Sequence, residues 1–433
     1  MPVTIIMGGQ WGDEGKGKLT DALAATAHVV VRANGGSNAG HTVQTPAGVF
    51  KFRLVPSGIL NPGCLCVIGA GAVVDVSMLI AEMDALEARG IDTAGLRLSD
   101  RAHLVLPYHP RLDRMEEAAR VGDEIGTTLS GNGPAYADKA SRRGIRAGDL
   151  LDAATLDRLV RREVAAKNRL FAITDDPAPI DPDALLATLR PIAERLAAVI
   201  VPAEVVVQDA IDAGRHVMIE CAQGPLLDVD YGTYPFGTSS SPTAAGACQG
   251  AGIAPTQVDR VIAVFKAYST RVGAGPMPTE LHDATGDLIR ERGREYGTGT
   301  GRPRRTGWFD AVAARHVVRL NGVTEIALTL VDVLDAFPVI PVCVAYRLDG
   351  REIHHPPANV EALVRVVPSY DERPGWSAPT DGARHIDDLP GPTRDYITFI
   401  QDRLRAPIRL IGVGPDREQL IPVPAATPGL VTA

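Results

Sequence analysis

A glycine-rich stretch near the start of the chain, residues 8–18, limits the possible fold more than any other feature. It reads Gly-Gly-Gln-Trp-Gly-Asp-Glu-Gly-Lys-Gly-Lys, follows an apolar β-like run at residues 3–7 and precedes a helix-compatible run at residues 19–25. Strand, glycine-rich turn and helix, in that order, form the arrangement in which backbone N–H groups and a helix N-terminus bind phosphate. The sequence therefore predicts an α/β protein with a phosphate-binding turn.

The stretch departs from the usual phosphate-loop pattern, Gly-x-x-x-x-Gly-Lys-Ser/Thr, in two ways. Leu19 stands where a magnesium-binding hydroxyl is expected, and Asp13 and Glu14 place two carboxylates inside the loop. A carboxylate repels a phosphate ligand, so its presence here indicates metal binding or proton transfer. A structural glycine turn is the alternative interpretation. We predict a nucleotide enzyme whose chemistry takes place inside the loop.

Apolar runs of strand length alternate with helix-like patterns along the chain. Predicted strands lie at residues 28–32, 64–68, 216–219, 261–265, 326–331 and 339–346, and predicted helices at 76–88, 184–212 (interrupted at Pro191 and Pro202), 308–320 and 393–404. This alternation is typical of a doubly wound, mostly parallel sheet, with ligands at the carboxyl ends of its strands. Residues 173–183 are predicted to form a surface loop. We expect residues 1–433 to form a single α/β domain with helical insertions.

Composition argues against several classes of protein. The formal net charge of −8 argues against a nucleic-acid partner. Five cysteines without a Cys-x-x-Cys pair predict neither a disulfide framework nor a zinc site. The chain opens without a secretory leader pattern, and its apolar runs stay below the length of a membrane span. We therefore expect a cytoplasmic protein with no membrane partner.

A second informative stretch, residues 34–42, follows the second predicted strand and reads Asn-Gly-Gly-Ser-Asn-Ala-Gly-His-Thr. It places His41 at the carboxyl end of a strand, on the same edge of the sheet as the first loop. A lone histidine is more often structural, but the surrounding glycines and asparagines favour a functional role here. An imidazole facing Asp13 would form an acid/base pair.

Residues 12–18 and 38–42 together resemble the adenylosuccinate synthetase family. Further matching segments extend along nearly the whole chain, at residues 125–128, 133–139, 222–224, 232–235, 266–276, 306–308 and 412–417. The resemblance implies a carbon–nitrogen ligase that converts IMP, L-aspartate and GTP to adenylosuccinate, GDP and phosphate in AMP biosynthesis. It also implies a 6-phosphoryl-IMP intermediate and Mg²⁺ as the cofactor.

The same resemblance implies roles for individual residues. Asp13 corresponds to the base that removes the N1 proton of IMP, and His41 to the general acid at the transferring phosphoryl group. Lys16 and Gln223 are the other implied catalytic residues, and Asp13 and the Gly40 carbonyl are the implied metal ligands. The implied IMP-binding residues are Asp13, Glu14, Gly15, Lys16, Asn38, Ala39, Gly40, His41, Thr128, Arg142, Gln223, Thr238 and Arg302.

Nucleotide and aspartate sites follow in the same way. Asp332 could accept hydrogen bonds from guanine N1–H and the exocyclic amine together. Arg142, adjacent to Arg143, corresponds to an arginine that reaches the neighbouring subunit, which implies a homodimer. The implied GTP-binding residues are Gly12, Asp13, Glu14, Gly15, Lys16, Gly17, Lys18, Gly40, His41, Thr42, Arg304, Leu330, Val331, Asp332, Gly412, Val413 and Gly414. The implied aspartate-binding residues are Thr298, Gly299, Thr300, Gly301, Arg302, Pro303 and Arg304.

Several residues depart from the family pattern near the ligand loops. Leu330 stands where the family has a lysine whose stem covers the guanine face. Leu-Ser-Gly-Asn at residues 129–132 replaces Gly-Arg-Gly-Ile, which removes an arginine, and Pro303 and Gly299 replace an arginine and a threonine. The catalytic set is intact, so these departures concern ligand preference.

Two other functions remain open at this point. One is a diverged relative that performs the same chemistry on another 6-oxopurine, a guanine nucleotide or a modified nucleoside phosphate, with a relaxed GTP/ATP preference. Asp13 argues for hypoxanthine, since such relatives often change this carboxylate. The other is a non-catalytic guanine-nucleotide switch protein, against which Leu19 and the carboxylate inside the loop argue.

Overall fold

The computed structural model describes residues 3–45, 48–297 and 301–424. The strands are β1 (Val3–Gly8), β2 (Val29–Arg32), β3 (His41–Thr45), β4 (Gly48–Phe52), β5 (Leu65–Ile68), β6 (Val73–Val74), β7 (Leu96–Ser99), β8 (His103–Leu104), β9 (Ile200–Val201), β10 (Val217–Glu220), β11 (Val258–Lys266), β12 (Ser269–Arg271), β13 (Arg305–Gly307), β14 (Phe309–Asp310), β15 (Glu325–Thr329), β16 (Val339–Leu348), β17 (Arg351–Ile353), β18 (Val367–Pro374), β19 (Ile408–Gly412) and β20 (Leu420–Pro422). The helices are α1 (Lys16–Ala24), α2 (Val76–Glu87), α3 (Tyr108–Ala118), α4 (Asn132–Ala140), α5 (Ala153–Phe171), α6 (Pro182–Leu196), α7 (Ala203–Asp212), α8 (Ala244–Ala251), α9 (Ala284–Gly293), α10 (Ala311–Asn321), α11 (Val360–Arg365) and α12 (Gly391–Leu404).

One large sheet organises the fold. Its strand order within the described residues is β20-β19-β15-β11-β1-β10-β2-β5-β7-β9. All neighbouring strands run parallel except β19 and β20, which are antiparallel. This confirms the predicted α/β class with a mostly parallel central sheet. None of the helices in these ranges is both long enough and apolar enough to cross a bilayer.

The central strands are apolar on both faces because helices cover the sheet on both sides. Consecutive residues of β1 contribute to different cores: Ile5 packs in one buried cluster and Ile6 in another. In β2, Val31 and Val30 divide in the same way. Successive side chains of a strand point to opposite faces, so a strand buried on both sides is a continuous apolar run. The sequence pattern at these strands therefore has a direct physical cause.

Two predicted elements differ from the observed ones at their ends. The strand predicted at residues 326–331 ends at Thr329, because Leu330 adopts a left-handed conformation with φ +58°. The helix predicted from residue 308 begins at Ala311, where the Asp310 carboxylate accepts hydrogen bonds from the Val312 and Ala313 N–H groups. Both boundaries are set by local backbone geometry that the apolar pattern does not contain.

The prediction that the helical region at residues 184–212 is interrupted at Pro191 was wrong, whereas the predicted interruption at Pro202 was correct. Pro191 lies inside α6, and α7 starts only after Pro202. A proline inside a helix removes one hydrogen bond and costs about 3 kcal/mol. Leu189 and Leu196 are buried on either side of Pro191 and anchor α6 through tertiary packing.

The predicted strand at residues 339–346 exists, but it lies outside the large sheet. As β16 it pairs with β14, β17 and β18 in a smaller sheet. Residues 173–181 lie between α5 and α6, as predicted for a loop at residues 173–183, but residues 182 and 183 are the first two residues of α6. The single-domain organisation stays a prediction.

Three strands near the middle of the sheet, the neighbours β2 and β10 and, on the other side of β1, β11, end in a buried charged residue. Arg32 ends β2, Glu220 ends β10 and Lys266 ends β11. Buried charges need compensating partners, because their desolvation is costly. They mark the carboxyl edge of the sheet as a polar, functional region, on the same edge as residues 9–15.

Candidate active site

The loop after β1 is anchored to the neighbouring strand β11 and the residues that follow it by its own Gln10 side chain. The Gln10 side chain accepts a hydrogen bond from the Lys266 N–H (3.0 Å) and donates one to the Tyr268 carbonyl (2.8 Å). The Thr329 hydroxyl, at the end of β15, donates to the Glu14 carbonyl (2.7 Å). The two neighbouring strands β11 and β15 therefore hold the loop in place.

Glu14 shapes this loop instead of facing a ligand with its carboxylate. Its side chain is fully buried and accepts hydrogen bonds from the N–H groups of Gln10 (3.0 Å) and Gly12 (2.8 Å). Lys16 Nζ lies 2.5 Å from the second carboxylate oxygen. The Glu14 carboxylate is therefore occupied inside the loop, which leaves the Glu14 backbone for contact with a ligand. Of the two loop carboxylates, Asp13 is the one available to bind a metal or take a proton.

Helix α1 begins directly after the loop with an open N-terminus. Gly15 adopts φ +87° at the N-cap, and its first turn has no side-chain cap, so backbone N–H groups are available to phosphate. Gly17 allows the His41 ring to approach, since a Cβ there would lie 2.8 Å from the ring Cδ2. Leu19 is buried in the core beside the sheet.

Asp13 is paired with an arginine that the resemblance had linked to GTP phosphate. Arg304 Nε lies 2.9 Å from Asp13 Oδ2. The other side of the guanidinium donates to Glu295 Oε2 (2.6 Å). Asp13 itself is 32% exposed and adopts φ +61°, a conformation that aspartate tolerates better than most residues. Its carboxylate is therefore both oriented and accessible.

A buried network continues from Arg304 into the protein. Glu295 accepts hydrogen bonds from Lys266 Nζ (2.6 Å) and from the Tyr268 hydroxyl (2.5 Å), and the Glu295 and Lys266 side chains are each 1% exposed. Charges alternate along Asp13, Arg304, Glu295 and Lys266, so each is compensated by a neighbour. The Lys266 charge keeps the pKa of Glu295 below its ordinary value, although burial acts in the opposite direction.

His41 lies at the start of β3, with its ring against the Gly17 backbone in the first turn of α1. Its Nε2 is 2.8 Å from the Ser57 hydroxyl and 3.6 Å from Glu220 Oε1, and its ring packs 5.3 Å from that of Phe52. Burial lowers the pKa of His41 to about 4, and Glu220 partly opposes that shift. The free protein therefore holds a neutral imidazole beside the phosphate loop.

Gln223 connects the loop after β10 with the stretch at residues 34–42. It adopts φ +57°, donates to Asn38 Oδ1 (3.3 Å) and accepts from the Ser240 hydroxyl (3.0 Å). Arg32, at the end of β2, donates to the Gly36 carbonyl (3.1 Å). Gln223 and Arg32 thus hold one short segment in place. It carries four of the predicted residues, Asn38, Ala39, Gly40 and His41. Thr42, which follows it, is exposed.

The loop that carries Thr128 is held by carboxylates on α3. Glu117 accepts from the Gly126 N–H (2.6 Å), and Asp113 accepts from the Thr127 hydroxyl (3.0 Å). The Thr128 hydroxyl is exposed and pairs with that of Ser130 (2.6 Å). Sequence reasoning assigned no role to Asp113 or Glu117.

Residues 129–132, which follow Thr128, combine a strained backbone with a buried polar side chain. Leu129 takes φ +55°, a left-handed conformation that glycine adopts without strain. The buried Asn132 uses its amide to donate to Ser130 (3.0 Å), while its Oδ1 has no hydrogen-bond partner in the described residues. Residues 130 and 132 therefore place hydrogen-bonded polar side chains directly after Thr128.

Arg142 and Arg143 are distinguished by their partners. Arg143 pairs with buried Glu163 at 3.0 Å in its own chain. Arg142 is exposed, has φ +62°, and makes no side-chain hydrogen bond or ion pair to the residues that the structure describes. Thr238 is half-buried and donates its N–H to the Leu227 carbonyl (2.7 Å). Neither Arg142 nor Thr238 is tied by a hydrogen bond or ion pair to the loop at residues 9–15.

Asp332 follows β15 and presents an unsatisfied carboxylate oxygen. Its Oδ1 is buried without a hydrogen-bond partner among the described residues. Burial raises the pKa of Asp332 to about 6. Burial also lowers the pKa of Lys18 to about 8, and Lys18 donates to the Gly414 carbonyl (2.6 Å). An unpaired buried acceptor of this kind is available to a ligand that carries hydrogen-bond donors.

The other predicted nucleotide residues contribute backbone more than side chain. Val331 and Val413 are buried in the core, and Gly412 lies against Thr329. Leu330 is half-buried at the end of β15. Only its aliphatic surface is available to cover a base.

The predicted aspartate loop is partly described. Thr298, Gly299 and Thr300 lie outside the described residues. The Gly297 N–H donates to the Arg302 carbonyl (2.8 Å), and the Arg304 N–H donates to the Glu295 carbonyl (2.8 Å). Gly301, Arg302 and Pro303 are exposed. The base of the loop is thus fastened to the buried charge network.

The donor set fits Mg²⁺ only together with a substrate. Within residues 3–45, 48–297 and 301–424 there is no group of three His, Cys, Asp or Glu side chains that could hold an ion. One carboxylate, Asp13, and one backbone carbonyl, Gly40, are hard oxygen donors. Mg²⁺ commonly binds one or two carboxylates plus substrate phosphates instead of a complete protein cage.

Sequence reasoning missed Ser57, Glu220, Arg32 and Glu295. A usable signal existed for two of them, since Arg32 and Glu220 are charged residues that end otherwise apolar strands. Ser57 and Glu295 carried no such signal, because their partners are distant in the chain.

The fold and site together define a nucleotide-type α/β enzyme in which a carboxylate and an imidazole flank a phosphate-binding turn. A family model for adenylosuccinate synthetase matches residues 5–421. The chain belongs to the adenylosuccinate synthetase family: it is a ligase that joins IMP and L-aspartate through a carbon–nitrogen bond, forming adenylosuccinate in purine biosynthesis.

Individual relatives agree with this assignment. Adenylosuccinate synthetases from Thermomicrobium roseum and Moorella thermoacetica are 57% and 51% identical, over 98% and 97% of this chain and 99% of each relative. The structure of the fully ligated enzyme from Plasmodium falciparum matches with a TM-score of 0.93 at 35% identity, over 98% of this chain and all of that one. Succinoaminodeoxyadenylate synthetase of cyanophage S-2L, at 24% identity and a TM-score of 0.62, shares the fold.

Proposed function

We propose that the reaction consumes GTP and proceeds through 6-phosphoryl-IMP, with Asp13 as the base. Asp13 takes the N1 proton of IMP, and the O6 atom that gains the electron pair attacks the γ-phosphoryl group of GTP, releasing GDP. The aspartate amine then attacks C6 and displaces phosphate. The observation that carries this role is the accessible Asp13 carboxylate, held by Arg304 at 2.9 Å at the entrance to the phosphate turn.

The other residues stabilise charge and hold substrates in this proposal. Phosphoryl transfer spreads negative charge over non-bridging oxygens, so donors placed there provide much of the catalysis. Lys16, His41 and the open N-terminus of α1 are such donors. Gln223, held by Asn38 and Ser240, would fix the purine near Asp13.

Mg²⁺ would be held by Asp13 and the Gly40 carbonyl together with GTP phosphates. When bound, it would neutralise charge on the phosphates. Arg304 already balances the Asp13 charge in the free protein. The protein's own task at this point is to keep the carboxylate and the carbonyl in place, which the contacts of Arg304 and Arg32 support.

Guanine recognition is assigned to Asp332, and substrate aspartate to the loop at residues 297–304. The unpaired Oδ1 of Asp332 supports the first assignment. Arg302 suits the second, since a planar guanidinium binds carboxylates in a bidentate manner. For the IMP phosphate we propose Thr128, Thr238 and Arg142 of a neighbouring subunit. Arg143 is engaged by Glu163, which supports Arg142 as the residue that reaches across a homodimer.

We also propose a cytoplasmic location and a weakened preference for GTP over ATP. The latter follows from Leu330, which offers apolar cover but no cation to the base. Neither the non-catalytic switch function nor a different purine substrate is favoured by the family assignment.

Mass spectrometry of products tests the proposed function. Wild-type protein should be incubated with Mg²⁺, L-aspartate, either GTP or ATP, and one of IMP, GMP or dGMP. We expect adenylosuccinate from IMP with GTP, and a smaller but measurable yield with ATP. A preferred product from a guanine nucleotide, or no aspartate-dependent phosphate release with IMP, would refute it.

A further inference from the structure

The histidine assigned as general acid is held by two buried residues at the carboxyl edge of the sheet. His41 Nε2 lies 2.8 Å from the Ser57 hydroxyl, and that hydroxyl lies 2.9 Å from Glu220 Oε1. The second Glu220 oxygen accepts from the Ser57 N–H (3.0 Å). Ser57 and Glu220 are both buried. Neither Ser57 nor Glu220 lies on a segment that the proposed function assigns to substrate.

The hydrogen-bond inventory gives this chain one direction. A serine hydroxyl has a single proton, and a carboxylate only accepts. Ser57 therefore donates to Glu220, and His41 Nε2–H donates to Ser57. The side chains form an ordered relay, Glu220–Ser57–His41, in which the carboxylate orients the hydroxyl and the hydroxyl orients the ring.

Packing leaves the ring few alternatives. Phe52 lies 5.3 Å from it on one side, and the closely approaching Gly17 backbone borders it on another. With Nε2–H donating to Ser57, rotation of the imidazole is fixed, and so is the position of Nδ1, the nitrogen that has to carry the second ring proton when His41 acts as the acid. Fixed orientation matters because a general acid acts only within hydrogen-bond reach of its target.

The location of Glu220 explains how a distant residue can act here. It is the last residue of β10, the strand beside β1, and it leads directly into the loop that carries Gln223. Strand β10 thus supports the His41 imidazole through Ser57, and it supports Gln223 because the loop that carries that residue follows it directly in the chain.

We propose that Ser57 and Glu220 are positioning residues for His41, acting in series to hold its imidazole at the phosphate turn. This inference rests on the role proposed for His41. Removal of either residue lowers kcat and leaves the KM values for IMP, GTP and aspartate nearly unchanged, because neither side chain contacts a substrate.

Ser57→Ala and Glu220→Gln test the relay by steady-state kinetics on the full chain with IMP, GTP, aspartate and Mg²⁺. Each should lower kcat about tenfold or more, a part of the 10²–10⁴-fold that a positioned acid contributes. Because the residues act in series, the double variant should resemble the single ones. Ser99→Ala is the matched control: Ser99 is a fully buried serine at the end of β7, and its hydroxyl accepts from the Arg101 N–H (3.2 Å).

Thermal unfolding separates positioning from loss of structure. Wild-type kcat in folded Ser57→Ala or Glu220→Gln would overturn the inference, as would fully additive losses or an effect confined to KM. If Ser57→Ala does not fold, Glu220→Gln, which keeps the shape of the side chain, decides alone. His41→Asn distinguishes the two proposals: wild-type turnover there refutes the role of His41 itself, whereas an inactive His41→Asn beside fully active relay variants refutes only the relay.

Discussion

The guanidinium of Arg304 lies against the carboxylate of Asp13, with 2.9 Å between Nε and Oδ2. Its other edge bonds Glu295, so a single arginine joins the proposed base to a buried charge network. The same arginine ends the segment proposed to bind substrate aspartate. The two halves of the reaction, activation of IMP and addition of aspartate, therefore share one side chain.

Arg304→Lys should lower kcat about 100-fold, because an ammonium group cannot contact Asp13 and Glu295 in the same way and small misplacements are costly. Steady-state kinetics with IMP, GTP and aspartate measure this. Arg305→Lys is the control: Arg305 pairs with Glu280 and two backbone carbonyls, away from Asp13. Equal losses in both variants would contradict a specific role for Arg304.

Leu330→Lys should sharpen the discrimination between GTP and ATP. Lysine adds a cation to the aliphatic cover of the base, and the left-handed backbone at residue 330 strains lysine no more than leucine. Competition between GTP and ATP in the presence of IMP and aspartate gives the ratio of kcat/KM values. A wild-type ratio equal to or greater than that of Leu330→Lys would be inconsistent with this account.

Asp332→Asn should raise the KM for GTP about 10- to 100-fold, since a donor replaces an acceptor opposite the guanine amine. The same change should improve use of xanthosine triphosphate, whose C2 carbonyl can accept from the new amide. Asp335→Asn is the control, because Asp335 is satisfied by Trp376 and Thr380 within the protein. Unchanged GTP kinetics in Asp332→Asn would exclude the guanine assignment.

Asp310→Asn should change how stability depends on pH. Burial raises the pKa of Asp310 to about 6, from 3.8 in the unfolded chain. The folded state thus holds this proton more tightly, and the stability it contributes below about pH 4 is lost as the pH rises through 6. A pKa difference of this size corresponds to about 3 kcal/mol.

Asparagine keeps the cap of α10 and carries no charge. We therefore expect Asp310→Asn to gain stability relative to wild type between pH 4 and pH 7, measured as the free energy of unfolding in urea. A difference between the two proteins that does not vary with pH would show that Asp310 is not the titrating group.

Much of the central sheet was predictable because parallel strands buried on both faces are continuous apolar runs. The phosphate turn and the segment ending in His41 were equally clear, since each combines glycine spacing with a neighbouring strand. The end of β15 was not predictable from apolarity, because it depends on the left-handed conformation of Leu330. At Pro191 the error is the opposite one: the proline predicts a helix end, but the packing of α6 against the core keeps the helix continuous.

Side-chain partners were the least predictable part of the site. Glu14 appears in the sequence as a second reactive carboxylate. In the structure, that carboxylate accepts hydrogen bonds from backbone N–H groups four residues or fewer away. Arg304 was linked to GTP phosphate and lies on Asp13. Ser57 and Glu220 are 163 residues apart. Such pairs arise from the fold, and they cannot be predicted from composition or from residue spacing.

The most direct test of the account is the fate of the IMP oxygen in wild-type protein and in Asp13→Asn, a change that keeps the side-chain shape and suits the backbone at φ +61°. IMP labelled with ¹⁸O at position 6 is incubated with GTP, aspartate and Mg²⁺, and phosphate and adenylosuccinate are analysed by mass spectrometry. We predict that wild-type protein transfers the label to phosphate while forming adenylosuccinate, and that folded Asp13→Asn forms neither product at a measurable rate. Appreciable turnover in Asp13→Asn, or unlabelled phosphate from wild-type protein, would contradict the proposed start of the reaction at this loop.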